Sequence, residues 1–336
     1  MRAIRAIPYR PTRRCVIVGA VSGCIPSRIA WAQEVAPPPA PAPVQLIPSE
    51  QLEHSTVQIV CETKSGRTSG TGFFVSLLHQ GASNVPVIVT NKHVIAGSTI
   101  GHLKFTLKNN DGGPDLQRFT EVAIPDFEQH WFPHPSPDVD LAIFAFAPLL
   151  TNMIGEGHSP FWVALDYSNI PTNEEMNDLT PLEDVIIVGY PDGISDASHN
   201  VPVFRRGITA TPVYLDFNGE TEFLIDAAIF PGSSGSPVFL YNQGTWTDRS
   251  GQTKIGTRIK LLGVVHAVGV HSLDGEIRIV PAPTQTRAIV NSALPNNLGI
   301  CVKASRILEF EPLIVKQGVV LPRGYKMRAG TVPPTP

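Results

Sequence analysis

Charge is scarce in this chain of 336 residues, for only 16% of its side chains are Asp, Glu, Lys or Arg. Cysteine is scarcer: 4 in all, of which Cys15 and Cys24 fall within the first 32 residues, leaving Cys61 and Cys301 for the rest. In an oxidising compartment those two could pair, but each lies in an apolar, strand-like setting, which favours two buried thiols. No Cys or His cluster has metal-ligand spacing. His130 and His134 come nearest, yet Pro133 between them disfavours the helix that would set both on one face. Long amphipathic helical stretches are few, whereas glycine (28) and proline (32) are plentiful, so the chain reads as many short strands joined by turns. No cofactor is called for by any motif.

The start of the chain lacks the opposite sign. Residues 1–32 hold six arginines and no acidic residue, then an apolar run from Cys15 to Ile25, then Pro26 and a stretch ending Ala30-Trp31-Ala32. A basic start, an apolar middle too short to span a bilayer and a small-x-small end make a secretory signal. Val21-Ser22-Gly23-Cys24 resembles a lipobox, which would put a lipid on Cys24, and Thr12-Arg13-Arg14 hints at a twin-arginine signal. Pro26, separating the apolar core from the cleavage region, favours cleavage after Ala32 and a lipid-free mature start at Gln33. Without those six arginines, 20 basic residues stand against 29 acidic ones, a net of −9. A protein so charged has no electrostatic reason to hold nucleic acid or an anionic membrane. Residues 33–50 are then a Pro/Ala-rich linker, residues 51–310 the folded domain with an internal boundary near 150–182, and residues 311–336 a tail.

Three stretches carry chemistry. Phe230-Pro231-Gly232-Ser233-Ser234-Gly235-Ser236-Pro237 is a small-residue turn between the strand-like runs Thr221 to Asp226 and Pro237 to Tyr241. Ser234 there could attack an acyl carbon while the amides of Gly232 and Ser234 hold the oxyanion. Taken alone, the same stretch reads first as a hairpin turn made of turn residues. Upstream, His93 follows the strand-like Val85 to Thr90, in a loop or helical turn that ends by Gly97. Asp140, 47 residues later, opens the apolar run Leu141 to Phe144, which would carry its carboxylate inward towards an imidazole N–H. Asp138, further into the polar loop, is taken as solvated. Gly66 to Gly72 reads as a turn-rich bend.

Thr90-Asn91-Lys92-His93-Val94, Asp140-Leu141-Ala142 and Gly232 to Pro237, in that order, resemble the chymotrypsin-like (trypsin-like) serine proteases, particularly the bacterial trypsin-like peptidase group, over roughly residues 55 to 310. The resemblance implies an all-β fold of two six-stranded antiparallel β-barrels with a C-terminal helix over Ala304 to Phe310, and a cleft between the barrels. It implies an exported serine endopeptidase acting on a protein or peptide. His93 is the base, Asp140 orients it, Ser234 is the nucleophile, and Gly232 and Ser234 form the oxyanion hole. It further implies that Ala228, six before the nucleophile, floors the primary pocket, and that the strand carrying Val265, His266 and Ala267 lines the cleft. An alanine floor offers no counter-charge to Lys or Arg, so cleavage after small or medium apolar residues is expected. Glutamyl endopeptidases place a histidine two residues after the glycine of that strand, whereas His266 follows Gly263 by three, an offset that turns a strand side chain to the other face. The chain departs from the family in having Ser233 where many members carry Asp or Asn, which argues against activation by a new N-terminus. Residues 101–133 and 150–182 look like added surface loops, and residues 311–336 are too few for a PDZ domain. A non-catalytic binding module on the same fold is the rival reading.

Overall fold

The structure, a computed structural model, describes residues 45–80, 83–277, 288–317 and 326–328. The secretory signal, the lipidation at Cys24, the linker up to residue 44 and most of the tail lie outside the described residues.

In chain order the strands are β1 (Thr56–Thr63), β2 (Gly66–Gln80), β3 (Ser83–Thr90), β4 (Ser98–Lys108), β5 (Pro114–Pro125), β6 (Trp131–Pro133) and β7 (Ala142–Ala145). They are followed by β8 (Asp184–Gly189), β9 (Val203–Thr209), β10 (Glu222–Asp226), β11 (Pro237–Thr247), β12 (Thr253–Ile277), β13 (Ala288–Lys303) and β14 (Lys326–Arg328). The described helices are short: α1 (Pro48–Glu53), α2 (Lys92–Ile95), α3 (Phe146–Gly155), α4 (Asn173–Asn177) and α5 (Glu311–Gln317). The first sheet runs β14-β5-β4-β1-β2-β3-β7-β6, and the second, β10-β13-β12-β11-β8-β9, closes on itself through β9 and β10. The molecule is thus mostly β, with two sheets and a few helices, consistent with the chymotrypsin-like arrangement. The first sheet, however, has eight strands rather than six.

Period-two alternation sorts side chains into three cores. Ile88 joins Val57, Ile59 and Phe74 inside the first sheet, while its neighbours Val87 and Val89 face the other way. There they meet Val188, Phe239, Leu261 and Val264 of the second sheet. Val265 turns back inside that sheet with Ile187, Phe223 and Cys301. Strands buried on both faces read as near-continuous apolar runs, and each such side chain contributes about 1.5–3 kcal/mol on burial.

Three sequence expectations are corrected. Gly66 to Gly72 is strand, paired with β1 from Thr63↔Gly66 to Val57↔Gly72. Gly72 serves close packing there, since a Cβ would come within 2.7 Å of Ile88 Cγ2. Residues 101–133 are not surface loops: β4 and β5 pair through them, and Leu103, Phe105, Val122 and Ile124 fill the first core. Residues 150–182 are likewise anchored, with Leu165 and Ile170 buried between the sheets. At the C-terminal end Ala304–Phe310 is 3-10 helix, and α5 continues from it. Cys61 and Cys301 are both free and buried, as their apolar settings suggested.

Candidate active site

β3 and β7 pair up to Thr90↔Ala142, which sets residues 91–93 beside Asp140. His93 lies on α2, as the short turn required. Its Nδ1 is 2.5 Å from Asp140 Oδ2, and its backbone N–H donates to Asp140 Oδ1 at 3.2 Å. Asn91 Nδ2 donates to the Asp140 carbonyl at 2.7 Å, and Lys92 Nζ to the carbonyls of Ser136 and Pro137, both at 3.1 Å. Burial works to raise the Asp140 pKa, but the His93 side-chain hydrogen bond and charge, its backbone N–H and the charge of His266 together hold it below the usual carboxylate range. An ionised carboxylate only accepts, so the proton of a neutral His93 sits on Nδ1 and leaves Nε2 as a free base. Asp138 is exposed, as expected of the rival carboxylate.

The Ser234 turn is held through its backbone groups, and one residue of the first sheet, Thr71, makes two of the contacts. Thr71, on β2 and fully buried, donates its N–H to the Ser234 carbonyl at 2.9 Å and its hydroxyl to the Gly232 carbonyl at 3.1 Å. The same hydroxyl accepts from Tyr190 N at 3.0 Å, and the Thr71 carbonyl accepts from Thr90 Oγ1 at 2.7 Å. A Cβ at Gly235, whose φ is +83°, would come within 2.0 Å of the Thr71 carbonyl and 2.5 Å of Thr90 Oγ1, so only glycine fits between the sheets there. Thr90 is three residues before His93, which brings the Ser234 turn and the His93 helix to one place.

Within the turn, the amides of Ser233, Gly235 and Ser236 donate to Phe230, Val265 and Ser233 carbonyls. Those of Gly232 and Ser234 have no acceptor among the described residues. Asp192 N donates to the Pro231 carbonyl. In a trans peptide N–H and C=O point opposite ways, so this bond turns the Gly232 N–H away from Asp192. No hydrogen bond joins Ser234 to His93 among the described residues.

The four residues assigned to the substrate pocket part company. Ala228 is exposed, and its carbonyl accepts from Arg205 Nη1 at 2.8 Å, the guanidinium lying 4.7 Å from the centre of the Phe230 ring. Val265 is 1% exposed, packed in the core of the second sheet. Ala267 is half-buried. His266 sits in a β-bulge between the pairs Val265↔Cys301 and Ala267↔Ile300. Its Nε2 is 2.8 Å from Glu222 Oε1, off the axis a hydrogen bond needs, and its Nδ1 is 3.9 Å from Asp140 Oδ2. Thr71, Glu222 and Arg205 were not found by sequence reasoning. Thr71 had a signal, a lone hydroxyl in Gly70-Thr71-Gly72 at the head of an apolar strand.

His134 is buried, with its ring nitrogens on the Arg306 carbonyl and the Ser136 N–H, and His130 Nε2 meets the Pro125 carbonyl. Among the described residues no group of three His, Cys, Asp or Glu could hold a metal ion.

A family model for the trypsin-like peptidase domain matches residues 70–246, more than half of the chain and spanning Thr71, His93, Asp140 and Ser234. The chain belongs to that family. Among solved structures, it is similar to the HtrA-type protease AlgW with a tripeptide, at 17% identity and a TM-score of 0.39, covering 80% of this chain and 62% of that one. It is also similar to the active form of the Rv3671c protease from M. tuberculosis, at 18% identity and a TM-score of 0.40, covering 88% of this chain and 97% of that one. A third is the serine endoprotease from Yersinia pestis, at 16% identity and a TM-score of 0.39, covering 80% of this chain and 65% of that one. The chain thus spans under two thirds of the length of the AlgW and Yersinia proteases. No curated protein sequence matches it.

Proposed function

We propose that the protein is an exported serine endopeptidase, periplasmic or secreted, with its peptidase domain in residues 51–310 and two barrel-like halves meeting near residues 150–182. Ser234 Oγ attacks the carbonyl carbon of a peptide bond as His93 Nε2 takes its proton. The oxyanion is held by the amides of Gly232 and Ser234, each such donor being worth on the order of 10²–10³ in turnover. Asp140 keeps the imidazole oriented and stabilises its cation. The intermediate collapses with the proton passing from His93 to the leaving amine, and a water, deprotonated by His93, then hydrolyses the acyl-enzyme.

The observation that carries this reading is the pairing of an oriented imidazole with two free amides, Gly232 and Ser234, in the turn that bears the serine. The family resemblance, which makes Ala228 the pocket floor, supports cleavage after small or medium apolar residues. Export rests on the N-terminal sequence. No described helix is long and apolar enough to cross a membrane. A fluorophosphonate probe tests the catalysis: the protein should label at Ser234, whereas a binding module would not. Intact mass tests the processing: a mature start at Gln33 without a lipid is expected, a lipid-bearing start at Cys24 would replace that cleavage site with the lipobox one, and an uncleaved start at Met1 would overturn the export reading.

A further inference from the structure

We infer that His266 and Glu222 form a charge-balanced positioning pair behind Asp140, which sets the pH range over which His93 works as a base. This rests on the catalytic reading above. The bulge at His266 leaves the ring out of the β12–β13 ladder, and Val264 and Val265 on either side of the sheet are fully committed to separate cores. The ring instead stands between two carboxylates, 2.8 Å from Glu222 and 3.9 Å from Asp140. Its side chain is 19% exposed, against 23% for Glu222 and 25% for Asp140, so water screens the three only in part.

The other titratable groups facing this cluster, among the described residues, are few. His93 lies behind Asp140. On β13, burial and then the charge of Glu222 push the Cys301 thiol far up, so it stays neutral. Lys303 is committed to Asp216 at 2.6 Å. A proton on His266 would have Glu222, 2.8 Å away, as its counter-charge, and the pair would then add little net charge beside Asp140. Glu222 also explains why a second imidazole can stand this close to Asp140 without drawing it from His93. With His266 neutralised, Glu222 would be an uncompensated anion behind Asp140, and His93 would hold its proton to higher pH.

Two neutral, size-matched substitutions test this. His266→Gln should move the acid limb of the activity profile to higher pH by about half a unit or more. Adding Glu222→Gln should return the limb towards the wild-type position. A ring that merely filled space would give a double variant displaced at least as far as the single one. An unmoved limb in His266→Gln, or no recovery in the double variant, overturns the inference. The His93 ring titration, followed by NMR in a Ser234→Ala background, reads the same shift without turnover. Failure of the wild-type protein to label at Ser234 would instead sink the catalytic reading, and the NMR titration would still decide whether the pair acts on His93.

Discussion

The two sides of the site are built from different materials. On the first sheet, His93 is fixed to the Asp140 carboxylate twice, by its ring Nδ1 at 2.5 Å and by its backbone N–H at 3.2 Å. On the second, the turn around Ser234 is fixed through its backbone groups: the hydroxyl and N–H of Thr71, from the first sheet, hold the Gly232 and Ser234 carbonyls, while Val265 of the second sheet holds the Gly235 N–H and the Ser236 carbonyl. One side can be damaged by removing a charge and the other by removing a hydroxyl or adding a methyl group. The turn that bears the proposed nucleophile thus depends in part on a neutral residue with no proposed part in proton transfer.

The largest effect is expected at the point where both sides act together. Ser234→Ala should lower turnover by on the order of a million-fold with the fold unchanged, since the three residues act as a unit. Peptidase activity persisting in a pure sample of that variant would end the assignment of Ser234.

Asp140→Asn strikes the charged side alone. It lets the imidazole settle in the wrong tautomer, and kcat should fall by on the order of 10⁴. The stability consequence has a definite sign. The Asp140 pKa is lowered in the folded state, so its contribution is fully present above the unfolded carboxylate pKa of about 3.9 and is lost as pH falls through the folded value. The stability gap between wild type and Asp140→Asn, measured by urea unfolding, should therefore narrow below about pH 4. A gap that widened on acidification would show that the carboxylate is not held ionised by His93.

Thr71→Val strikes the backbone side alone. The shape is kept, but the Gly232 carbonyl loses its donor and the buried Tyr190 N–H its acceptor. A stability loss of about 1–3 kcal/mol is expected, with kcat down roughly 10- to 100-fold as the oxyanion amides lose register. Thr71→Ser should recover most of both. If Val were as active as wild type, the turn would be held by its own hairpin, and the contrast between the two sides would disappear.

What was legible in the sequence follows the same division. His93, Asp140 and the Ser234 turn could be read because charged or small residues interrupt apolar runs at strand ends. The strands themselves were legible from alternation, although Gly66 to Gly72 was misread because a glycine that makes room for Ile88 looks, in sequence, like one that makes a turn. Thr71 leaves only a faint trace, its hydroxyl between two glycines, for another reason: its partners Gly232 and Ser234 are more than 160 residues away, and they are carbonyls, which every residue has. His266 is placed in sequence by the family resemblance and faced by strand alternation, whereas the bulge that frees it from the ladder depends on how β12 and β13 pair.

The smallest expected effect concerns Ala228, where the charged and the backbone modes of support meet. In a family pocket an aspartate at this place would be the usual way to draw Lys or Arg, so Ala228→Asp is the obvious conversion. Here the Ala228 carbonyl already holds Arg205 at 2.8 Å. Among the described residues that guanidinium has no carboxylate partner, only this carbonyl and the face of Phe230. A carboxylate introduced at position 228 would have a fixed cation at hand, and an ion pair within the protein forms in preference to one that a substrate must bring. Ala228→Asp alone should therefore change the ratio of cleavage after Lys or Arg to cleavage after apolar residues by less than about tenfold. With Arg205→Met added, the carboxylate is released and the ratio should rise further. Peptide-library profiling of the two variants decides between them: dominant cleavage after Lys or Arg in Ala228→Asp by itself would mean that Arg205 supports the turn from outside the pocket and leaves its floor electrically open.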